Sequence, residues 1–92
     1  MLTLEEIYDE YKYGNYSDNH NRVCCDVGDY ITNNYGLNLR HARMVASGVY
    51  DAKKDNMKEF FDSIDFAARI AVNIRNNMRE AISDALEVVL ET

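Results

Sequence analysis

No proline interrupts the 92 residues, and from Met57 onward apolar side chains recur in alternating steps of three and four. Met57, Phe60, Ile64, Ala67, Ala71, Ile74, Met78, Ala81, Ala85 and Val88 form this seam, widened by Phe61, Ala68, Ile82 and Val89. Such a pattern places one stripe along an α-helix, and its seven-residue repeat is that of a helix meant to meet another helix. Unbroken from 56 to 90, the helix would be about 52 Å long at 1.5 Å per residue. Breaks near Ser63 or at Asn76-Asn77 are the alternatives, because Asn77 with Glu80 has the form of a helix cap.

Shorter helices precede it. Thr3-Leu4-Glu5-Glu6 reads as a capping box, with Leu4, Ile7, Tyr8 and Tyr11 on the stripe behind it. Gly14-Asn15-Tyr16-Ser17-Asp18-Asn19 reads as a loop that carries the next cap. Val23, Val27, Tyr30, Ile31 and Asn34 continue the helical period to Gly36, which suits the residue after a helix end. Asn38 then caps a third helix through about Tyr50, with Leu39, Ala42, Val45, Ala46 and Val49 facing inward. No segment sustains a two-residue alternation. The expectation is an all-α, elongated single domain over residues 1–92, three short helices packed on one long C-terminal helix. The seam exceeds what three short helices cover, so a homodimer through it is expected. A monomer with the first three helices folded along the fourth is the alternative.

Composition removes several functions. Sixteen acids against ten Lys and Arg give a net charge of -6. Direct binding to phosphate backbones or anionic membranes needs clustered cations, and an acidic chain disfavours both. No apolar run approaches a bilayer span, and the N-terminus lacks the features of a secretory signal, so a soluble intracellular protein is expected. Cys24 and Cys25 are adjacent and close no useful loop. His20 lies one helical turn before Cys24, but only His41 remains as a further nitrogen or sulfur donor, which is too few for zinc. Phosphate loops, HExxH and calcium-loop patterns are missing, and Ser17, Ser47, Ser63 and Ser83 lack a nucleophile's context. The expectation is a protein that is not an enzyme, with no metal and no cofactor.

The acids fall into sets. Asp51, Asp55, Glu59 and Asp62 follow steps of four, four and three; Glu80, Asp84, Glu87 and Glu91 follow four, three and four. Each set reads as a ladder on one helical face, opposite the apolar seam. Like charges at these spacings cost a few tenths of a kcal/mol per pair. The second ladder also occupies a helix C-terminus, where the macrodipole favours cations by about 0.3–1 kcal/mol. Glu5, Glu6, Asp9 and Glu10 add a patch at a helix N-terminus, where acids are welcome. Lys53, Lys54 and Lys58 flank the first ladder and partly neutralise it. Solubility alone would account for a solvated acidic face. A row of fixed carboxylates on a rod can also imitate duplex phosphates and compete for a basic DNA channel, here over about 15 base pairs at 3.4 Å each.

One motif argues for the opposite role. Residues 28–47 resemble a helix-turn-helix, with Gly36 at the turn and Ile31, Tyr35, Leu37, Ala42 and Val45 at its apolar positions. Arg40, His41, Arg43 and Ser47 would face outward on a recognition helix, and Tyr35–Tyr50 holds two Arg and no acid. Thr32 stands where such motifs want Ala or Gly. A small DNA-binding regulator using Arg40 and Arg43 is the alternative function.

Size, acidity and the opening Met1-Leu2-Thr3-Leu4-Glu5-Glu6-Ile7-Tyr8-Asp9-Glu10 resemble the Arn anti-restriction proteins of T-even-type bacteriophages, as does the Tyr-Lys-Tyr-Gly-Asn-Tyr-Ser-Asp-Asn run. The resemblance implies a dimeric DNA mimic acting in the host cytoplasm. Its implied target is the modification-dependent restriction nuclease McrBC, with host nucleoid protein H-NS as a further partner. It brings no catalytic residues. The twelve acids named above are the candidate binding surface.

Overall fold

A computed structural model describes residues 2–14, 16 and 19–91, with the side chains of 84, 85 and 88–91 left out of that description. Four helices follow in order: α1 (Leu4–Lys12), α2 (His20–Tyr35), α3 (Leu39–Lys53) and α4 (Met57–Glu91). There is no strand among the described residues, and the expected all-α, elongated architecture with a long final helix is what the chain adopts. The radius of gyration is 16.3 Å, against about 12 Å for a compact chain of this length. Its extents are 60 × 25 × 17 Å.

Local capping sets the starts. The Thr3 hydroxyl accepts from Glu6 N at 3.2 Å and Glu6 Oε1 accepts from Thr3 N at 3.3 Å, closing the capping box. Asn19 and Asn38 accept from Arg22 N and His41 N, at 3.3 and 2.8 Å. Asn56 does the same for Glu59 N at 3.2 Å and begins α4. Gly36 ends α2 at φ +72°, a left-handed conformation that other residues resist. Of the expected loop at 14–19, residues 15, 17 and 18 lie outside the described residues.

The helices run up and down. His20 at the start of α2 stacks on Tyr50 near the end of α3, ring centroids 5.1 Å apart. Midway, Gly28 meets Arg43 so closely that an added Cβ would lie 2.7 Å from Arg43 Cγ and 3.2 Å from its Cα. These pairs share a nearly constant sum of residue numbers, the mark of an antiparallel hairpin in contact along its length. A DNA-reading helix-turn-helix instead opens at about 90–120°. The motif's apolar positions are filled, yet its corner is not made. Thr32 Oγ1 is buried there without a hydrogen-bond partner.

The turn at 54–56 returns the chain along α3 as α4, and Met44 and Lys53 of α3 line one groove with Ser63 and Ile70 of α4. Ile7, Val27, Ile31, Ala42, Ala46, Phe60 and Ile64 are fully buried in one continuous core. Tyr8 stacks flat on Phe61 at 4.9 Å, which ties α1 to the start of α4.

Three expectations need correction. Asn34 is exposed, its amide donating to Tyr30 O at 2.8 Å, so α2's inner stripe ends at Ile31. Leu39 is exposed in the first turn of α3, and Leu37 in the preceding loop is buried in its place. Helix α3 also continues to Lys53, one turn beyond Tyr50. Helix α4 passes Ser63 and Asn76-Asn77 without a break.

Candidate functional site: the acidic surface

Helix α4 divides the molecule. Its first half packs: Phe60, Phe61, Ile64, Ala68 and Ala71 are buried. Beyond Ala71 the seam continues without cover, and Ile74, Met78 and Ile82 are more than half exposed. Ala85, Val88 and Val89 belong to the residues whose side chains lie outside the description. The cause is length. At 1.5 Å per residue α3 spans about 22 Å and α4 about 52 Å, so α4 projects well past its partners.

The second acidic ladder sits on this projection. Glu80 and Glu87 are exposed, seven residues apart on one face. Asp84 and Glu91 fall on that face by helical register, their side chains outside the description. Residues 80–91 contain no Lys or Arg. The last turn of α4, at the negative end of the helix dipole, therefore has no cation to offset it.

The first set is not one ladder. Asp51 lies on α3, Asp55 in the turn after it, and Glu59 and Asp62 on α4. The four-residue steps run through the break at 54–56, where helical register is lost, so the four share no helical face. They do remain exposed together at one end of the body. Lys53 Nζ lies 3.5 Å from Glu59 Oε2, the partial neutralisation the sequence suggests. At the N-terminus Glu5 and Glu6 are exposed, Glu6 serving the capping box. Asp9 pairs with Lys12 at 3.2 Å, and Glu10 is exposed beside them.

Sequence reasoning missed that some acids face inward. Asp65 Oδ1 accepts from both Tyr30 and Tyr35 hydroxyls, at 2.7 and 2.6 Å, and so joins α2 to α4. Asp26 likewise accepts from Tyr16 at 2.7 Å. Burial, then the hydrogen bond to a carboxylate, raises the phenol pKa of all three tyrosines. Their spacing of 35 and 30 residues to Asp65 carries no sequence signal. The basic residues are partly absorbed in the same way. Arg75 Nη1 donates to Gly36 O at 2.8 Å, closing the end of α2 onto α4, while its Nε is buried without a partner.

Arg40 and Arg43 remain exposed on α3, lining a shallow surface groove with Met44 and Asp51. His20 is occupied in its stack on Tyr50, and burial pushes the Cys24 thiol up. Among the described residues no group of three metal-ligating side chains comes together, and no helix is long and apolar enough to cross a membrane. Comparisons with protein families, curated proteins and solved structures found no match, so it is the surface itself that must carry a functional reading.

Proposed function

We propose that the protein is a non-enzymatic inhibitor that occupies the DNA-binding site of a host nuclease by imitating duplex charge and shape. A phage anti-restriction role against McrBC in the host cytoplasm is the specific form suggested by the resemblance to the Arn proteins. One observation carries the reading. Four acids stand on the projecting half of α4 without a cation in their segment, and the final turn, where the dipole favours cations, has no basic residue. Folding alone would favour Lys or Arg there, so their presence points to use at the surface.

Shape agrees with charge. The long extent of 60 Å corresponds to about 18 base pairs at 3.4 Å each. A narrow molecule with exposed carboxylates at both ends presents a basic DNA channel with a potential of the sign it binds. The rival reading keeps Arg40 and Arg43 exposed, but the antiparallel packing of α2 on α3 gives it no open recognition corner.

The test replaces Glu80, Asp84, Glu87 and Glu91 by Gln together. Displacement of a labelled duplex from the nuclease should weaken at least about tenfold, as for the loss of several charge contacts. Wild-type inhibition should also fall steeply with added salt. Full potency in the folded Gln variant would overturn the assignment. A duplex retarded by the protein itself, and released by Arg40→Ala with Arg43→Ala, would favour the regulator instead.

A further inference from the structure

The outer face of α3 is apolar and basic together, in a chain whose net charge is -6. Arg40 and Arg43 line a shallow groove of about 730 Å³ with Leu39, Met44, Gly48 and Asp51. Met44 and Gly48 also border a second groove, of about 540 Å³, whose far wall includes Phe66 and Ile70 of α4. The two grooves thus form one surface that meets at Met44 and Gly48. Met44, Phe66 and Ile70 are 64%, 67% and 43% exposed along it.

Gly48 marks a place of close approach. It lies exposed inside α3, and a Cβ built there meets no atom within 4 Å. Alanine would fit and would favour the helix, so nothing within the chain requires the missing side chain. At Gly28 the opposite holds, because Arg43 fills the space a side chain would take. That contact holds the stem of Arg43 against α2. Neither Arg40 nor Arg43 has an ion-pair partner among the described residues. No acid lies between Tyr35 and Tyr50 to neutralise them, and Asp51 bounds only the far end of the groove.

We propose that this surface binds an amphipathic helix of a partner protein, seated between α3 and α4 with its flanking carboxylates paired to Arg40 and Arg43. Such a helix buries Met44, Phe66 and Ile70 together, and the bare Gly48 lets its backbone come close. Arg40 to Asp51 spans about 17 Å of α3, which matches about three turns of the partner. The partner's acids belong at the Arg40–Arg43 end, since Asp51 repels them at the other. Duplex DNA suits the surface less well, because its phosphates would leave the apolar floor in water. The surface lies apart from the acids of residues 80–91, so the inference stands independently of DNA mimicry.

The probe is a fluorescein-labelled peptide of about 14 residues, with leucines at helical spacing and glutamates flanking them. Its anisotropy should rise on titration with the full chain, and the same peptide with Lys for Glu should bind at least about tenfold more weakly. Gly48→Leu should weaken the acidic peptide at least about tenfold by filling the surface. Helical circular dichroism should be unchanged, since leucine suits an exposed helix. Arg40→Glu with Arg43→Glu should reverse the preference in favour of the Lys peptide. Failure of the acidic peptide to bind, equal affinity for both peptides, or full affinity in Gly48→Leu would overturn the proposal. So would a duplex that competes the peptide off through the two arginines, which would give the groove to nucleic acid. A concentration-dependent mass of the chain alone that Gly48→Leu abolishes would overturn it too, giving the groove to a second copy.

Discussion

The two halves of α4 have the same apolar period and opposite fates. From Met57 to Ala71 the stripe is buried or half-buried against the other helices, and Phe60 and Ile64 are inaccessible to solvent. From Ile74 to Leu86 the same kind of stripe meets water. The first half holds the fold together. The second contributes little to it and is free to serve a surface role. Patterning thus specifies that a helix has a face to bury, but neighbours decide how much of that face is buried.

The contrast is sharpest in truncations. Phe60→Ala should destabilise the protein by about 3–5 kcal/mol, the range for emptying a large buried aromatic site. Met78→Ala should shift the unfolding of a dilute, monomeric sample by less than about 0.5 kcal/mol, as for surface sites. Urea denaturation followed by circular dichroism reads both, and a comparable loss at Met78 would break the division. Next in size is Gly28→Ala. Alanine favours helix locally, yet its methyl would press on Arg43 at both side chain and backbone. A net loss of about 1–3 kcal/mol is expected for such overpacking, and a gain would show that α2 and α3 are less tightly joined than the geometry indicates.

Smaller effects come from the tyrosine–aspartate links that fasten α2 to the sealed half. Tyr30→Phe and Tyr35→Phe should each cost about 1 kcal/mol near neutral pH. Their pH dependence has a definite sign. In the folded chain both phenols hold their protons above the usual value near 10. The unfolded chain releases them first, so stability is fully present below about pH 10 and falls as pH rises beyond it. The double Phe variant should show a flatter alkaline decline in thermal unfolding. The smallest effect belongs to the projecting half. Glu87→Lys should raise its helical content by a few tenths of a kcal/mol, through the dipole and relief of like-charge repulsion. Backbone amide exchange at residues 80–91 would record it, and faster exchange would remove the argument that the ladder opposes local helix physics.

Much of the fold is legible in the sequence. Thr3, Asn19, Asn38 and Gly36 act within a turn or two of themselves, so their positions announce helix ends wherever the chain goes. The shared face of Glu80 and Glu87 was legible for the same reason, because both lie inside one helix. The set at Asp51–Asp62 was misread because steps of four mean one face only while the helix lasts, and it stops at Lys53. The Leu39 and Leu37 exchange was out of reach for a related reason. Helical period identifies a stripe but not how far the neighbouring helix extends over its first turn.

The sequence by itself determined four helices, the caps of the first three, and the apolar seam of the fourth, since each is a matter of local geometry and period. Only the tertiary structure decided where the seam loses its cover, which acids turn inward to tyrosine hydroxyls, and that α2 and α3 close as a hairpin. Those outcomes depend on how far one helix reaches along another and on contacts between residues 30 or more positions apart. Such contacts form only once the whole chain is packed.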